Sequence, residues 1–176
     1  MAGGLPKDDR DLPGARARAR DAIGALVEEA VAAGVVLAVE PMHPMYAADR
    51  GVISTLGQAL DIAEDFPADV VGVVVDAFHV WWDPEVLPQI ARAGAAGRIA
   101  SYQVNDWITP LPPDSLLARG VTGDGHIDLP GLTAAVCEAG YRGDVEVEVF
   151  NKALWGMPFA DAAALVAERF SVIQLG

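Results

Sequence analysis

The chain has 176 residues, 52% of them hydrophobic and 21% charged, which provides enough apolar material for a sizeable core and excludes wholesale disorder. Its formal net charge of −13 argues against nucleic acid or an anionic membrane as the main partner, because both attract basic surfaces. No apolar run is long enough to span a membrane, the N-terminal MAGGLPKDDRD lacks the apolar core of a signal peptide, and the single cysteine excludes an internal disulfide. We therefore expect a cytoplasmic protein.

Segments with helical spacing alternate along the chain with short apolar runs rich in β-branched residues. In chain order the pattern predicts a helix over 12–33 that Gly34 ends, a strand over 35–41, a helix over 54–65 that begins at the N-cap Ser54, a strand over 70–78, a helix over 84–94, a strand over 98–106, a helix over 130–140 that begins at Pro130, a strand over 144–150 and a last helix over 158–170. Nearly continuous apolar strands that alternate with helices are typical of an α/β fold with a parallel sheet covered by helices.

Two observations favour a (βα) barrel over a doubly wound sheet. No glycine-rich phosphate loop joins a predicted strand to a helix, since GVTGDG lies between a polar loop and a helix. Each predicted strand also has polar or ionisable residues near its C-terminal end, where barrel enzymes keep their chemistry. In chain order these are Glu40, Asp76 with His79, Gln103 with Asp106, and Glu148.

Four predicted strands make half of the usual eight-stranded barrel. We expect residues 1–176 to form one half-barrel domain with an unpaired apolar edge on each outer strand. Such edges associate readily with other strands. We therefore expect either a homodimer, if the chain is complete, or a fragment of a longer barrel.

The strand-end residues suggest a metal or acid–base site. Glu40 and Asp76 end very apolar runs, so each carboxylate must be paired, protonated or bound to a cation. Simpler roles remain open: Glu40 as an acceptor of loop hydrogen bonds, His79 as a packed histidine among aromatic residues, and Gln103 as a satisfied core amide. Glu146 and Glu148 share one face of their strand, and Glu148 is the nearer to its C-terminal end.

Five stretches carry a resemblance to a known family: VEPMHP, VVVDAFHVWWDP, SYQVNDW, ARGVTGDGHIDLPGL and AGYRGDVEVEVFN. In this order they resemble the xylose isomerase-like sugar phosphate isomerase/epimerase family, over essentially the whole chain. The resemblance implies a partial TIM barrel that corresponds to strands five to eight. It also implies a metal site formed by Glu40, Asp76, Gln103 and Glu148. Most members have histidine where this chain has Gln103, but hydroxypyruvate isomerase-like members have glutamine there.

The resemblance implies metal-dependent proton transfer through an enediolate of a keto or aldo sugar, with Glu40 and Glu148 as the catalytic acid/base pair. His79 and Arg119 would contact the substrate, and His43 and Trp107 would line its pocket. The all-oxygen donor set favours Mn²⁺ or Mg²⁺, with Co²⁺ as a substitute.

Three other functions occur to us as alternatives on the same fold. A catalytically incomplete half-barrel that only binds metal or sugar is one, and a dehydratase of a cyclic polyol or dehydroshikimate type is another. The related DNA-repair endonucleases bind several zinc ions through many histidines, so the three histidines and the charge of −13 disfavour that function.

Overall fold

A computed structural model describes residues 4–173 of the chain. The helices are α1 (Leu12–Gly24), α2 (Val27–Ala33), α3 (Leu56–Ala63), α4 (Ala77–Val80), α5 (Val86–Ala95), α6 (Leu129–Glu138), α7 (Lys152–Trp155) and α8 (Phe159–Phe170). The strands are β1 (Leu37–Val39), β2 (Val71–Asp76), β3 (Ile99–Val104), β4 (Asp106–Trp107), β5 (Arg119–Gly120) and β6 (Val145–Val147). None of the helices in this range is long and apolar enough to cross a membrane.

Four strands form one parallel sheet in the order β1-β2-β3-β6, as the sequence predicted. The register places Ala38 beside Gly72, Asp76 beside Gln103, and Gln103 beside Glu146. The ribbon β4–β5 is antiparallel and follows the C-terminal end of β3. Because the four main strands are parallel, their C-terminal ends lie along one edge of the sheet.

The helices cover one face of this sheet and form the core with it. Valines 71, 73 and 75 of β2 are fully buried, and Leu60 of α3 and Ile90 of α5 belong to the same apolar cluster. At the N-terminal ends of the strands, buried Arg98 donates to the carbonyl oxygens of Ala63, Phe66 and Val71. This arginine therefore satisfies backbone acceptors on the side of the sheet opposite the strand-end carboxylates.

The predicted helix over residues 12–33 is two helices. After α1 the helix changes to a 3₁₀-type turn, in which the Leu26 N–H donates to the carbonyl oxygen of Ile23, three residues earlier. The second helix, α2, then begins at Val27. Gly34 ends α2 at φ 64°, as predicted, because glycine adopts left-handed backbone without a Cβ penalty. The cap of α3 is Thr55 and not Ser54, since the Thr55 hydroxyl accepts the Gln58 N–H at 3.2 Å.

The remaining boundaries differ by a few residues. All four predicted strands are longer than the observed ones, by one or two residues at the first end and by two or three at the last. The sequence prediction lacked the short helices α4 and α7 and the β4–β5 ribbon. His79, which falls between the predicted strand over 70–78 and the predicted helix over 84–94, lies in α4, where it is 1% exposed.

Both outer strands of the parallel sheet, β1 and β6, pair on one side only within residues 4–173. A groove of ≈ 490 Å³ runs along β1 and reaches Glu40; it is lined mainly by apolar residues, among them Ala15, Ile23 and Val39. The sheet is therefore an open segment of barrel with an apolar groove beside its first strand.

Candidate active site

The site lies where the four parallel strands end. Glu40 directly follows β1, Asp76 is the last residue of β2, and Glu148 directly follows β6 and continues the ladder by donating its N–H to the Val104 carbonyl at 3.1 Å. The predicted residues of these strands therefore converge on one edge of the sheet, because parallel pairing aligns their ends.

Asp76 is fully buried, and its two oxygens have different partners. Oδ1 accepts the Phe78 N–H at 2.8 Å and the Asn105 side-chain amide at 2.9 Å. Oδ2 accepts from Nη1 of Arg119 at 2.8 Å. The carboxylate is thus oriented so that Oδ2 faces a cationic group. Asn105 had not been singled out from the sequence, and its place in QVND gave only a weak signal.

Arg119 lies at the centre of the site, although only a substrate contact was predicted for it. Besides Asp76, its Nη1 donates to Oε2 of Glu148 at 2.6 Å, and its Nη2 lies 3.0 Å from Nε2 of His79. The guanidinium lies over the rings of Phe78 at 5.0 Å and Phe150 at 5.1 Å. A positive charge that is 4% exposed therefore bridges two carboxylates and stacks on two aromatic faces.

His79 belongs to a cluster of groups able to hold a metal ion. One ligand atom each from Glu40, Asp76 and His79 lie within 4.8 Å of one another. The His79 Nδ1 faces the His43 N–H at 3.0 Å. Burial, with Arg119 adding to it, lowers the pKa of His79 to about 4.

The two glutamates are held toward their protonated forms. Burial raises the pKa of Glu40 to about 7, and the negative charges of Asp76 and Glu148 add to the shift. Burial also raises the pKa of Glu148, against the opposing effect of Arg119. A carboxyl with a pKa near neutrality can both take and release a proton at physiological pH.

Gln103 makes a contact that the sequence did not predict. Its Nε2 donates to Oε2 of Glu146, its neighbour in the register, at 3.0 Å. Its Oε1 is buried and accepts no hydrogen bond from residues 4–173. A buried amide oxygen that accepts no hydrogen bond can bind a cation without first losing a hydrogen bond.

One wall of the site is aromatic. Trp107 stacks with His43 at a centroid distance of 4.8 Å and with Phe78 at 4.9 Å. Trp107 is partly exposed, and burial lowers the pKa of His43, which favours its neutral form. Both residues predicted to line a pocket therefore lie on the same surface, which is apolar and uncharged.

Asp106 organises the loop next to this wall. Its buried carboxylate accepts four backbone N–H groups: Trp107 and Ile127 on Oδ1, and Gly123 and Gly125 on Oδ2. A Cβ at Gly125 would lie 2.2 Å from the Trp107 carbonyl oxygen, so only glycine fits there. The GVTGDG segment is thus held against Trp107 by one carboxylate, which explains its glycines without a phosphate ligand.

The donor set fits a divalent metal. Three carboxylates end at the same edge of the sheet, and the buried Gln103 oxygen beside Asp76 in the register has no donor from the described part of the chain. Oxygen ligands of this kind suit Mg²⁺ or Mn²⁺. The nitrogen of His79, next to Glu40 and Asp76, would extend the choice to softer metals.

Comparison with known proteins places these features in a family. The family model described as xylose isomerase-like TIM barrel matches residues 1–173. No curated protein matches the chain significantly. The crystal structure of protein SMc04130 from Sinorhizobium meliloti 1021 is similar with 45% identity and a TM-score of 0.94, and the match covers 99% of this chain and 63% of that one.

Two further solved structures share the fold at lower identity. The IOLI protein with a zinc atom has 23% identity and a TM-score of 0.78, and the match covers 97% of this chain and 60% of that one. An L-ribulose 3-epimerase has 24% identity and a TM-score of 0.70, and the match covers 99% of this chain and 57% of that one. The chain thus spans about 60% of the length of these structures, as the partial barrel predicted from the sequence requires. The chain belongs to the xylose isomerase-like TIM barrel family.

Proposed function

We propose that this chain carries the metal-binding half of a sugar isomerase or epimerase site that moves a proton on a keto or aldo sugar. The observation that supports the proposal best is the cluster of Glu40, Asp76 and His79, which bring one ligand atom each within 4.8 Å of one another. Burial raises the pKa of Glu40 to about 7, and a general acid/base is most effective when its pKa lies near the working pH. The neighbouring folds include an L-ribulose 3-epimerase and a D-psicose 3-epimerase.

Glu40, Asp76, Gln103 and Glu148 would hold the metal, with His79 beside Glu40 and Asp76 as a substrate contact. When bound, the ion would supply Lewis-acid stabilisation of negative charge on the substrate oxygens. The oxygen donors favour Mn²⁺ or Mg²⁺. The zinc atom of the IOLI structure shows that a related fold accommodates a divalent ion.

The chain's own residues would carry the proton. Glu40 and Glu148 are the exchange pair: one carboxylate removes the proton next to the carbonyl, and the other returns it to the same or to the neighbouring carbon. In the metal-free chain, burial raises the pKa of both carboxyls.

Other residues would bind and orient the sugar. The Arg119 guanidinium and the His79 ring are neighbours and would both supply hydrogen bonds to the substrate. Trp107 and His43 present an apolar face on which the C–H surface of a sugar packs while water is excluded.

The test is proton exchange with solvent. The chain would be incubated with Mn²⁺ and neutral ketoses in D₂O, and deuterium next to the carbonyl would be followed by NMR. We expect exchange with the native chain, loss of at least about a hundredfold with Glu148→Gln, and no change with Glu29→Gln, an exposed helix glutamate. Full exchange in the Glu148→Gln variant would refute the acid/base role. Mn²⁺ binding without any exchange by the native chain would instead identify a metal-binding half-barrel.

A further inference from the structure

A single nitrogen bridges the two carboxylates at the centre of the site. Nη1 of Arg119 lies 2.8 Å from Oδ2 of Asp76 and 2.6 Å from Oε2 of Glu148. A divalent ion held by these two carboxylates would need the same oxygens that now accept from the guanidinium. The ion and the guanidinium would therefore compete for Asp76 and Glu148.

The contacts of His79 show that the inward position of Arg119 is strained. The His43 N–H points at Nδ1, and an Arg119 N–H points at Nε2, each at 3.0 Å. A neutral imidazole has one acceptor nitrogen, and an imidazolium has none. One of these two contacts therefore brings two N–H groups face to face, whichever tautomer the ring adopts.

Withdrawal of the guanidinium would remove this conflict. With Nδ1 accepting from His43, the Nε2–H would be free to donate toward Oε1 of Glu40, 3.8 Å away, or Oδ2 of Asp76, 3.9 Å away. The hydrogen bond from the His43 backbone N–H to Nδ1 of His79 would remain as it is.

The backbone of Arg119 is fixed, so the side chain is the part that moves. The Arg119 N–H donates to the Phe150 carbonyl at 3.2 Å, and its own carbonyl accepts from the Asn151 side chain at 3.0 Å. Arg119 also pairs with Trp107 in the β4–β5 ribbon. The rings of Phe78 and Phe150 lie 5.0 Å and 5.1 Å from the guanidinium carbon, and neither contact involves the two carboxylates.

We propose that Arg119 is an internal cation that competes with the divalent metal for Asp76 and Glu148, so that metal entry displaces the guanidinium from between the carboxylates. This inference rests on the metal site of the proposed function. It adds that the site has two arrangements, one with the arginine inward and one with the ion inward, and that they exclude each other.

The test measures metal affinity and not turnover. Mn²⁺ would be titrated calorimetrically into the native chain, Arg119→Gln and Arg92→Gln. Arg92 is the matched control, because it also bridges two carboxylates, those of Asp61 and Glu64, but on the surface. We expect Arg119→Gln to bind Mn²⁺ about tenfold more tightly or better, since a competing like charge is gone, and Arg92→Gln to match the native chain. Unchanged or weaker binding by a folded Arg119→Gln variant would overturn the inference.

The outcomes separate this inference from the proposed function. If the native chain binds Mn²⁺ and Arg119→Gln binds it equally well, the metal site stands and the competition fails. If neither binds, both fail. Binding only after Arg119→Gln would support both.

A second measurement uses the native chain and does not depend on the folding of a variant. In a chain with ¹⁵N-labelled arginine, the side-chain Nε–H resonance of Arg119 should shift as Mg²⁺ is added, while that of Arg92 stays in place. Saturation with Mg²⁺ without movement of the Arg119 resonance would contradict displacement.

Discussion

Nε2 of His79 lies 3.8 Å from Oε1 of Glu40, yet these two groups do not form a charged pair. Burial lowers the pKa of His79 to about 4 and raises that of Glu40 to about 7. Each shift favours the neutral form of its group, because the loss of hydration on burial outweighs the attraction between the two charges. The pair therefore does not hold the fold together by charge.

The first prediction concerns the pH dependence of stability at Glu40. Its folded pKa of about 7 lies above the ordinary value of 4.5, so the folded chain binds more protons there than the unfolded chain between these pH values. Stability from this group is present below pH 4.5 and falls as the pH rises to 7. We expect Glu40→Gln to gain on the order of 2 kcal/mol relative to the native chain between pH 4.5 and pH 8.

Urea unfolding of chelator-treated protein at several pH values would measure this gain. His79 acts in the opposite direction, since its lowered pKa makes stability fall as the pH drops from 6.5 toward 4. Taking the difference between Glu40→Gln and the native chain cancels the His79 contribution. For Glu29→Gln, the difference in the free energy of unfolding from the native chain should not vary with pH over this range. If the same difference for Glu40→Gln also does not vary with pH, the pKa of Glu40 is not raised in the folded chain.

The second prediction tests Gln103 as a metal ligand. Its buried oxygen accepts no hydrogen bond from residues 4–173, and its amide nitrogen is held by Glu146. Replacing the oxygen donor by imidazole in Gln103→His should raise the affinity for Zn²⁺ relative to Mg²⁺ about tenfold, because nitrogen ligands suit zinc. Competition titrations with both metals would measure the ratio. The helix variant Gln89→His should leave the ratio as it is, and an unchanged ratio in Gln103→His would remove Gln103 from the ligand set.

The third prediction concerns Asp106 and the loop that it holds. An amide has one acceptor oxygen, so Asp106→Asn would leave two of the four backbone N–H groups facing an NH₂ group. We expect a loss of about 2–4 kcal/mol in the free energy of unfolding. Amide exchange over residues 123–127 should also become faster.

Denaturant unfolding and hydrogen exchange would test this role. Asp114→Asn is the control, because Asp114 is exposed and its side chain does not cap the following turn. We expect its effect to stay within about 0.5 kcal/mol. Native-like exchange of the loop in Asp106→Asn would show that other contacts hold it.

The fourth prediction is that two copies of the chain associate through their sheet edges. β1 and β6 each pair on one side only in the described part of the chain, and an apolar groove of ≈ 490 Å³ lies beside β1. Parallel pairing of β6 with β1 of a second copy would give the eight strands of a closed barrel. Light scattering should give about twice the mass of 18.4 kDa.

A charge on the edge strand should separate the copies. Ala38 is exposed and lines the groove, so Ala38→Lys should give a monomer, whereas Ala33→Lys at the exposed end of α2 should not. A native chain that is monomeric at every concentration would contradict the homodimer.

The sequence predicted the elements of the site better than their boundaries. Runs such as VVGVVVD are apolar throughout, so they indicated buried parallel strands, and parallel strands place their last residues together. Where an element begins or ends depends on single hydrogen bonds, such as the Thr55 hydroxyl that caps α3 and the Leu26 N–H that separates α1 from α2. Such bonds are poorly visible in a pattern of apolar spacing.

Local pattern was sufficient to place Glu40, Asp76 and Glu148 at one edge of the sheet, because strand polarity and alternation are properties of neighbouring residues. It was not sufficient for Arg119, which reaches Asp76 across 43 residues of chain, or for Gln103, whose amide is held by Glu146 in the next strand of the sheet. These contacts depend on strand register and on the packing of a loop against the sheet, and both arise only when distant segments meet. The sequence by itself thus determined which strand-end carboxylates lie along one edge of the sheet, while the tertiary structure decided which groups pair with them.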